Sequence, residues 1–162
     1  MLRNFKILLV CSVVLWGGVG AFLNVLDWGG TLGAVGAATS MATFEGGAEA
    51  WQATSNSLVI WLGALFIMLS KVTAAALCGV GAWRMWGARS SDGSAFNAAK
   101  EFALAGCAVA VFMLFAGLIV VAESWFELWR SDAMRGPVLE SAFRYAGMIG
   151  LIALFVASSD EA

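Results

Sequence analysis

A long apolar stretch from Ser57 to Trp86 constrains the fold of this chain more than any other part of it. An α-helix rises about 1.5 Å per residue, so this stretch exceeds the ~30 Å thickness of the hydrocarbon layer of a bilayer. Lys71 lies near the middle of the stretch, where a basic side chain is costly and often marks a functional site. The stretch therefore predicts a transmembrane helix with an unusual charge in its central part.

The composition of the whole chain agrees with a membrane protein. It is 61% hydrophobic and only 12% charged, whereas soluble domains carry about 25% charged residues. Four apolar runs and their loops use up the 162 residues, which leaves no room for a soluble domain. We therefore predict an all-α membrane protein, a single integral membrane domain over residues 1–162, with four transmembrane helices in an up-down-up-down bundle. The spans are expected at about residues 5–26, 57–86, 95–121 and 138–157, with a long outer loop at 27–56.

Two segments outside the spans are less clearly specified. Residues 31–43 are too short and too weakly apolar to cross a bilayer, and a helix, a re-entrant segment and a loop are all compatible with their sequence. The acidic tail Ser158–Ala162 is expected to fray, because chain ends that nothing ties down are commonly poorly ordered.

The basic residues indicate how the spans are oriented. In the four-span arrangement one side carries most of them, and the positive-inside rule places that side in the cytoplasm. Both termini are therefore expected in the cytoplasm. The predicted cytoplasmic side carries Arg3, Lys6, Arg84, Arg89 and Lys100, and the other side carries Arg130 and Arg135 with Asp27, Glu45, Glu49 and Glu127.

The outer half of the first span has features of a contact with another helix. The run Gly17-Gly18-Val19-Gly20-Ala21 forms a smooth groove that allows a second helix backbone to approach closely, and Gly17, Gly18 and Ala21 are expected to face that helix. The span then ends at Asn24 and Asp27, which are candidate polar or docking residues. We therefore predict helix packing along the groove.

Three ionisable residues within or beside the spans are candidates for function: Lys71, Glu123 and Arg144. They could form a charge network for ions or protons. A structural pair between Glu123 and Arg144 is the preferred interpretation, because both lie near the headgroups, where snorkelling is easy. No acid in the sequence reaches the depth of Lys71. It must snorkel, find hydroxyl or carbonyl groups, lose its proton, or meet an acid on another subunit.

Several functions are disfavoured by what the sequence lacks. It contains no histidine, which excludes His-ligated haem and imidazole metal sites. Its net charge of −2 and its few basic clusters argue against nucleic acid as a partner. It has no catalytic triad and no phosphate-binding loop. We therefore expect no enzyme activity, and assign no catalytic, cofactor or metal residues.

Two classes of function remain for a membrane protein of this kind. The preferred one is a structural or accessory subunit that docks onto a larger membrane complex through small-residue grooves and buried charge. The alternative is a small transporter or channel, oligomeric, with Lys71 lining the path. The expected partners are the lipid bilayer and other membrane subunits, or further copies of the chain.

Five short motifs occur near the ends of the four spans. They are Asn24-x-x-Asp27, Gly81-Ala82-Trp83-Arg84, Ala95-Phe96-Asn97 with Lys100, Glu123-x-Trp125-Phe126-x-x-Trp129 and Ala142-Phe143-Arg144. In these motifs the chain resembles, over nearly its whole length, a family of predicted small integral membrane proteins of bacteria, a domain of unknown function numbered 2165. The resemblance implies a multi-pass protein of the bacterial inner membrane, and it implies no activity.

The orientation can be tested with reporter fusions. A reporter that is active only in the periplasm should stay silent when fused after Ala162, because the positive-inside rule keeps that end in the cytoplasm. The same reporter inserted near Gly47 should be active. The reverse pattern would overturn the predicted orientation.

Overall fold

The computed structural model describes residues 1–160, which form helices joined by turns and contain no strand within that range. Four of the helices are long and apolar enough to cross a membrane, so the prediction of an all-α protein with four candidate spans is confirmed. A shorter helix lies between the first two spans and covers most of residues 31–43. The helices are α1 (Leu2–Leu26), α2 (Trp28–Thr39), α3 (Ser57–Gly87), α4 (Gly93–Trp125) and α5 (Asp132–Ala157).

Two of these helices, α4 and α5, contain both α-helical and π-helical turns. The second half of α4 is π-helical, and α5 has a π-helical part near its start. Pro137 lies in the π-helical turns of α5 and has no N–H to contribute to the helical hydrogen bonds. The α-helical parts are Gly93–Ala99, Glu101–Phe112, Asp132–Met134 and Ser141–Ala157, the π-helical parts are Met113–Trp125 and Arg135–Glu140, and short 3-10 turns lie at Gly47–Glu49 and Leu128–Arg130.

Asp27 ends α1 and begins α2. Its backbone N–H donates to the Leu23 carbonyl oxygen at 3.0 Å, and its side-chain Oδ1 accepts a 2.9 Å hydrogen bond from the Gly30 N–H. A carboxylate in this position satisfies an otherwise unpaired N–H at the start of a helix and is favoured by the helix dipole. The chain therefore turns from α1 into α2 at one residue, without a loop.

Long-range contacts show which helix ends lie together. Arg3, near the start of α1, donates a 2.6 Å hydrogen bond to the carbonyl oxygen of Ser91, which follows α3. Lys100, in the first part of α4, contacts Asp160, which follows α5. The start of α1, the end of α3, the start of α4 and the end of α5 therefore share one end of the bundle, called here the Asp160 end. The opposite end, where α1 meets α2, is called the Asp27 end.

The central helix is α3, which packs against both α1 and α4. Small residues bring these backbones together. A Cβ atom added to Gly17 of α1 would lie 2.9 Å from the carbonyl oxygen of Lys71 in α3, and one added to Gly81 of α3 would collide with the backbone nitrogen of Ala103 in α4. Without a hydrophobic drive between helices in lipid, such close contacts stabilise the bundle through van der Waals packing.

The groove predicted on α1 differs from the observed contact at one position. Gly17 and Ala21, one turn apart, are buried, whereas Gly18 is exposed and a Cβ added to it would have no neighbour within 4 Å. Successive residues of a helix lie on different faces, so Gly17 and Gly18 cannot share one contact. Gly20, which lies in the predicted groove, completes the contact: a Cβ there would lie 3.3 Å from Cδ of Lys71.

The close contact between α3 and α4 can be tested with two alanine substitutions in the same helix. Gly81→Ala should lower the free energy of unfolding by about 1–3 kcal/mol, because the new methyl group meets the α4 backbone. Gly79→Ala is the matched control, because a Cβ there has nothing within 4 Å, and alanine favours the helix by up to about 1 kcal/mol. Reversible unfolding in mixed micelles measures both. Equal effects would contradict the observed packing.

Candidate functional site

A large cavity lies at the Asp27 end of the bundle, where the helices spread apart. Its volume is about 1290 Å³, and residues of all five helices line it. Most of the wall is apolar, with aliphatic and aromatic side chains such as Leu23, Phe66 and Phe112. Two polar candidates from the end of α1, Asn24 and Asp27, also line it, and so does Lys71. The structure therefore brings three of the predicted polar residues to one cavity.

Lys71 is half-buried and reaches toward the Asp27 end. Its stem passes over Gly20, and its Nζ donates a 3.3 Å hydrogen bond to Oδ1 of Asn24. Gly17, Gly20 and Asn24 lie on one face of α1 at helical spacing. Gly17 faces the backbone of Lys71, Gly20 faces the middle of its side chain, and Asn24 contacts its ammonium group. Of the alternatives open for Lys71, the structure therefore shows a carbonyl partner, the side-chain amide oxygen of Asn24 in its own chain.

Asp27 has a different role at the rim of the cavity. Its side chain is exposed and accepts a hydrogen bond from the N–H of Gly30 at the start of α2. Across residues 1–160, no ion pair joins Asp27 to Lys71. The ammonium of Lys71 therefore has a neutral partner, and its charge is not balanced by a carboxylate in direct contact.

Glu123 and Arg144 are not brought together. Arg144 is exposed and its Nη2 donates a 3.0 Å hydrogen bond to Oγ of Ser141, one turn earlier in α5. Neither side chain takes part in an ion pair within the described part of the chain. The expected pair between the third and fourth spans is therefore absent from this structure, because Arg144 has a local partner on its own helix.

The cavity closes toward the Asp160 end. Below Trp16 and Lys71 the helices are packed around completely buried side chains, among them Val10, Cys78 and Phe96. None of the residues that line the cavity belongs to this half of the bundle. Within residues 1–160 the lining of this cavity therefore stops at Trp16 and Lys71, and the cavity, called here the blind cavity, is confined to the Asp27 end.

A second polar group, not predicted from the sequence, closes the Asp160 end. Lys6 and Lys100 are 0% and 2% exposed, and the Nζ atom of each lies 2.6 Å from the same oxygen, Oδ2, of Asp160. Both ammonium groups also donate to the carbonyl oxygen of Ser158, at 2.7 and 2.8 Å. Asn97 adds an acceptor at 2.6 Å from Nζ of Lys100. These five residues are called the Asp160 cluster.

Aromatic rings and Arg3 surround the Asp160 cluster. The Arg3 guanidinium lies 4.9 Å from the centre of the Phe96 ring, and Lys100 lies 5.3 Å from the same centre. Nε of Arg3 lies 3.9 Å from Oδ1 of Asp160. A cation gains electrostatic energy over an aromatic face, which helps to hold several positive groups together. The carboxylate of Asp160 is therefore shared by more positive groups than it can neutralise.

The surroundings of Asp160 favour its charged form. Burial alone would raise the pKa of its carboxyl group, but the hydrogen bonds and positive charges of Lys100 and Lys6 outweigh burial and hold the pKa below its usual value. The expectation that the tail frays is therefore wrong for Ser158–Asp160, which are anchored between α1 and α4. Residues 161–162 lie outside the described part of the chain.

The sequence does carry a partial signal for the Asp160 cluster. Lys6 and Lys100 were interpreted only as charges that set the orientation, since each lies near the predicted cytoplasmic end of a span. The spacing of Asn97 and Lys100 puts them one turn apart on a helix, where an amide and an ammonium can meet. Their common partner lies too far along the chain for any local pattern to indicate it.

Comparison with known proteins gives a family but no characterised relative. The family described as "Predicted small integral membrane protein (DUF2165)" matches residues 2–159. The chain belongs to this family. The resemblance found in the five sequence motifs is thus confirmed over almost the whole chain. No curated protein and no solved structure matches it.

The Asp160 cluster predicts loss of stability in acid. A carboxyl group whose pKa is lower in the folded chain than in the unfolded chain stabilises the fold fully above its unfolded pKa, about 3.9. This stabilisation is lost as the pH falls through the folded pKa. At pH 7, Asp160→Asn should cost about 3–5 kcal/mol, because it leaves two buried ammonium groups without their carboxylate. The difference from wild type should shrink below about pH 4, measured as the free energy of unfolding in detergent.

Asp132→Asn provides a matched control for this measurement. The Asp132 side chain is 97% exposed and lies 3.7 Å from Arg135 on the same helix, so its loss should change stability little at any pH. If Asp160→Asn behaves like Asp132→Asn, or if its effect is as large at pH 3 as at pH 7, the ionised cluster does not hold the tail.

Proposed function

We propose that the protein is a non-enzymatic structural or accessory subunit of the bacterial cytoplasmic membrane, with an up-down-up-down bundle and both termini in the cytoplasm. Membership of a family of small integral membrane proteins and four apolar helices support a multi-pass protein. The contacts of Arg3 with Ser91 and of Lys100 with Asp160 support an arrangement in which the start of α1 and the end of α5 lie at the Asp160 end, together with most of the basic residues. By the positive-inside rule, that end faces the cytoplasm.

The blind cavity is the observation that favours an accessory role over transport by this chain alone. A pathway for ions or solutes needs polar groups along its length or a water-filled route. Here the half below Lys71 is packed with completely buried apolar side chains, such as Val13 and Met85. The Asp160 cluster then ties α1, α4 and the tail together at the closed end.

Transport remains a second candidate because Lys71 lines the cavity. A basic residue inside a membrane cavity commonly marks a route for anions or protons. For a solute to pass, the packed half of the bundle would have to open, and the contacts of Asp160 with Lys6 and Lys100 would have to break. Opening would therefore cost several kcal/mol, on the order of the loss of a buried ion pair.

Mass measurement and reconstitution together separate the two functions. The protein is solubilised from its own membrane in a mild detergent, and the mass of the intact complex is measured. An accessory subunit should occur with a different protein at fixed stoichiometry, and liposomes that contain the purified chain alone should show no ion flux. A homo-oligomer whose flux is abolished by Lys71→Met would instead establish transport and refute the accessory role.

A further inference from the structure

The ammonium group of Lys71 has more hydrogen-bond donors than the described residues have acceptors for it. It has three N–H donors, and within the described residues it makes one hydrogen bond, to the neutral amide of Asn24. A charge in apolar surroundings is stabilised only when hydrogen-bonded, and preferably paired. Two donors of Lys71 are therefore left for a group inside the cavity, and a positive centre favours an anion.

Asn24 adds a further donor beside Lys71. Its Oδ1 accepts the hydrogen bond from Lys71 at 3.3 Å, which leaves the two N–H groups of its Nδ2 to donate elsewhere. An ammonium next to an amide N–H is a donor set that suits the oxygens of a carboxylate or phosphate. Asp27, the acid at the rim, is exposed, so water screens its charge more than that of half-buried Lys71.

The rest of the cavity suits a long apolar chain. Its volume of about 1290 Å³ exceeds the roughly 300–1,000 Å³ typical of small-molecule pockets. Aliphatic and aromatic side chains from all five helices form the wall, among them Leu23, Val35, Phe66, Leu118 and Val138. Some lining residues, including Leu62 and Phe112, are exposed at the bundle surface, where a molecule can enter sideways from the bilayer.

From this arrangement we propose that the cavity binds an anionic amphiphile. Its carboxylate or phosphate accepts hydrogen bonds from Lys71 and Asn24, and its acyl chain lies between the apolar walls. The proposal goes beyond the proposed function, since it concerns the purified chain alone and holds for an accessory subunit and a transporter alike. A membrane phospholipid and a free fatty acid both have this chemistry.

Native mass spectrometry of the delipidated full chain in a mild detergent tests the proposal. The probes are phosphatidylglycerol and palmitate as anions, with phosphatidylcholine and palmitate methyl ester as their matched partners without net charge. Wild type should bind one anionic molecule per chain at least about tenfold more tightly than the matched partner, the size expected for one charge-assisted hydrogen bond. Preference confined to phosphatidylglycerol assigns a bilayer lipid, and preference confined to palmitate assigns a free acid.

Four variants locate the site. Lys71→Met should lose the preference for the anion, while Lys71→Arg should keep most of it. Arg144→Met is the control, since it removes a positive charge from an exposed position that does not line the cavity. Ala34→Trp leaves Lys71 intact but adds a large side chain to the cavity wall, and it should weaken binding of whichever anion wild type prefers. The melting temperature of each variant shows that it is folded.

Three results would overturn the proposal. The first is equal binding of anionic and uncharged probes to wild type, which would mean general uptake of lipid. The second is an unchanged preference in folded Lys71→Met, or an equal loss in Arg144→Met, because either would place the anion away from Lys71. The third is unchanged binding to Ala34→Trp, which would place the acyl chain outside the cavity.

Discussion

The structure depends on one buried carboxylate, Asp160, shared between two buried lysines. Lys6 belongs to α1 and Lys100 to α4, so the shared oxygen joins the first span, the third span and the end of the chain at one point. Buried ammonium groups are stable only with partners, and here the carbonyl oxygen of Ser158 serves both. Residues Ser158 and Asp160 therefore stabilise the two buried ammonium groups, and these contacts hold the ends of α1, α4 and α5 together.

Close packing continues from this charged end to the middle of the bundle. Gly106 of α4 faces Cys78 of α3, where a Cβ would lie 2.6 Å from Sγ, and Gly17 of α1 faces the backbone at Lys71. Toward the Asp27 end larger side chains and α2 keep the helices apart, and the cavity occupies the space between them. Glycines occur in both halves, but Gly63 and Gly117, which line the cavity, face the side chains of Val35 and Phe66 instead of a neighbouring backbone. Backbones approach closely only where both facing residues are small.

The sequence predicts the four long apolar helices, because hydropathy and length are properties of each segment alone. It predicts contacts less well. Gly17 and Gly18 are neighbouring residues of the same type, so the sequence does not distinguish them. The rotation of α1 about its axis relative to α3 decides which of them is buried. The bond from Lys6 to Asp160 joins residues 154 positions apart, and no local pattern contains that information. Arg144 was expected to pair across helices, yet a serine one turn away is a nearer partner.

Lys71 shows how the tightly packed half and the open half are connected. A basic residue near the centre of a span costs roughly 2.5–3.5 kcal/mol on insertion scales, and snorkelling lowers that cost. Gly20 leaves room for the aliphatic part of the Lys71 side chain, and Oδ1 of Asn24 accepts a hydrogen bond from the Lys71 ammonium group. The same geometry places the ammonium-bearing side chain of Lys71 at the wall of the cavity. Replacing Gly20 with a larger residue would displace the stem, so the packing of α1 against α3 and the charge of the cavity depend on the same face of α1.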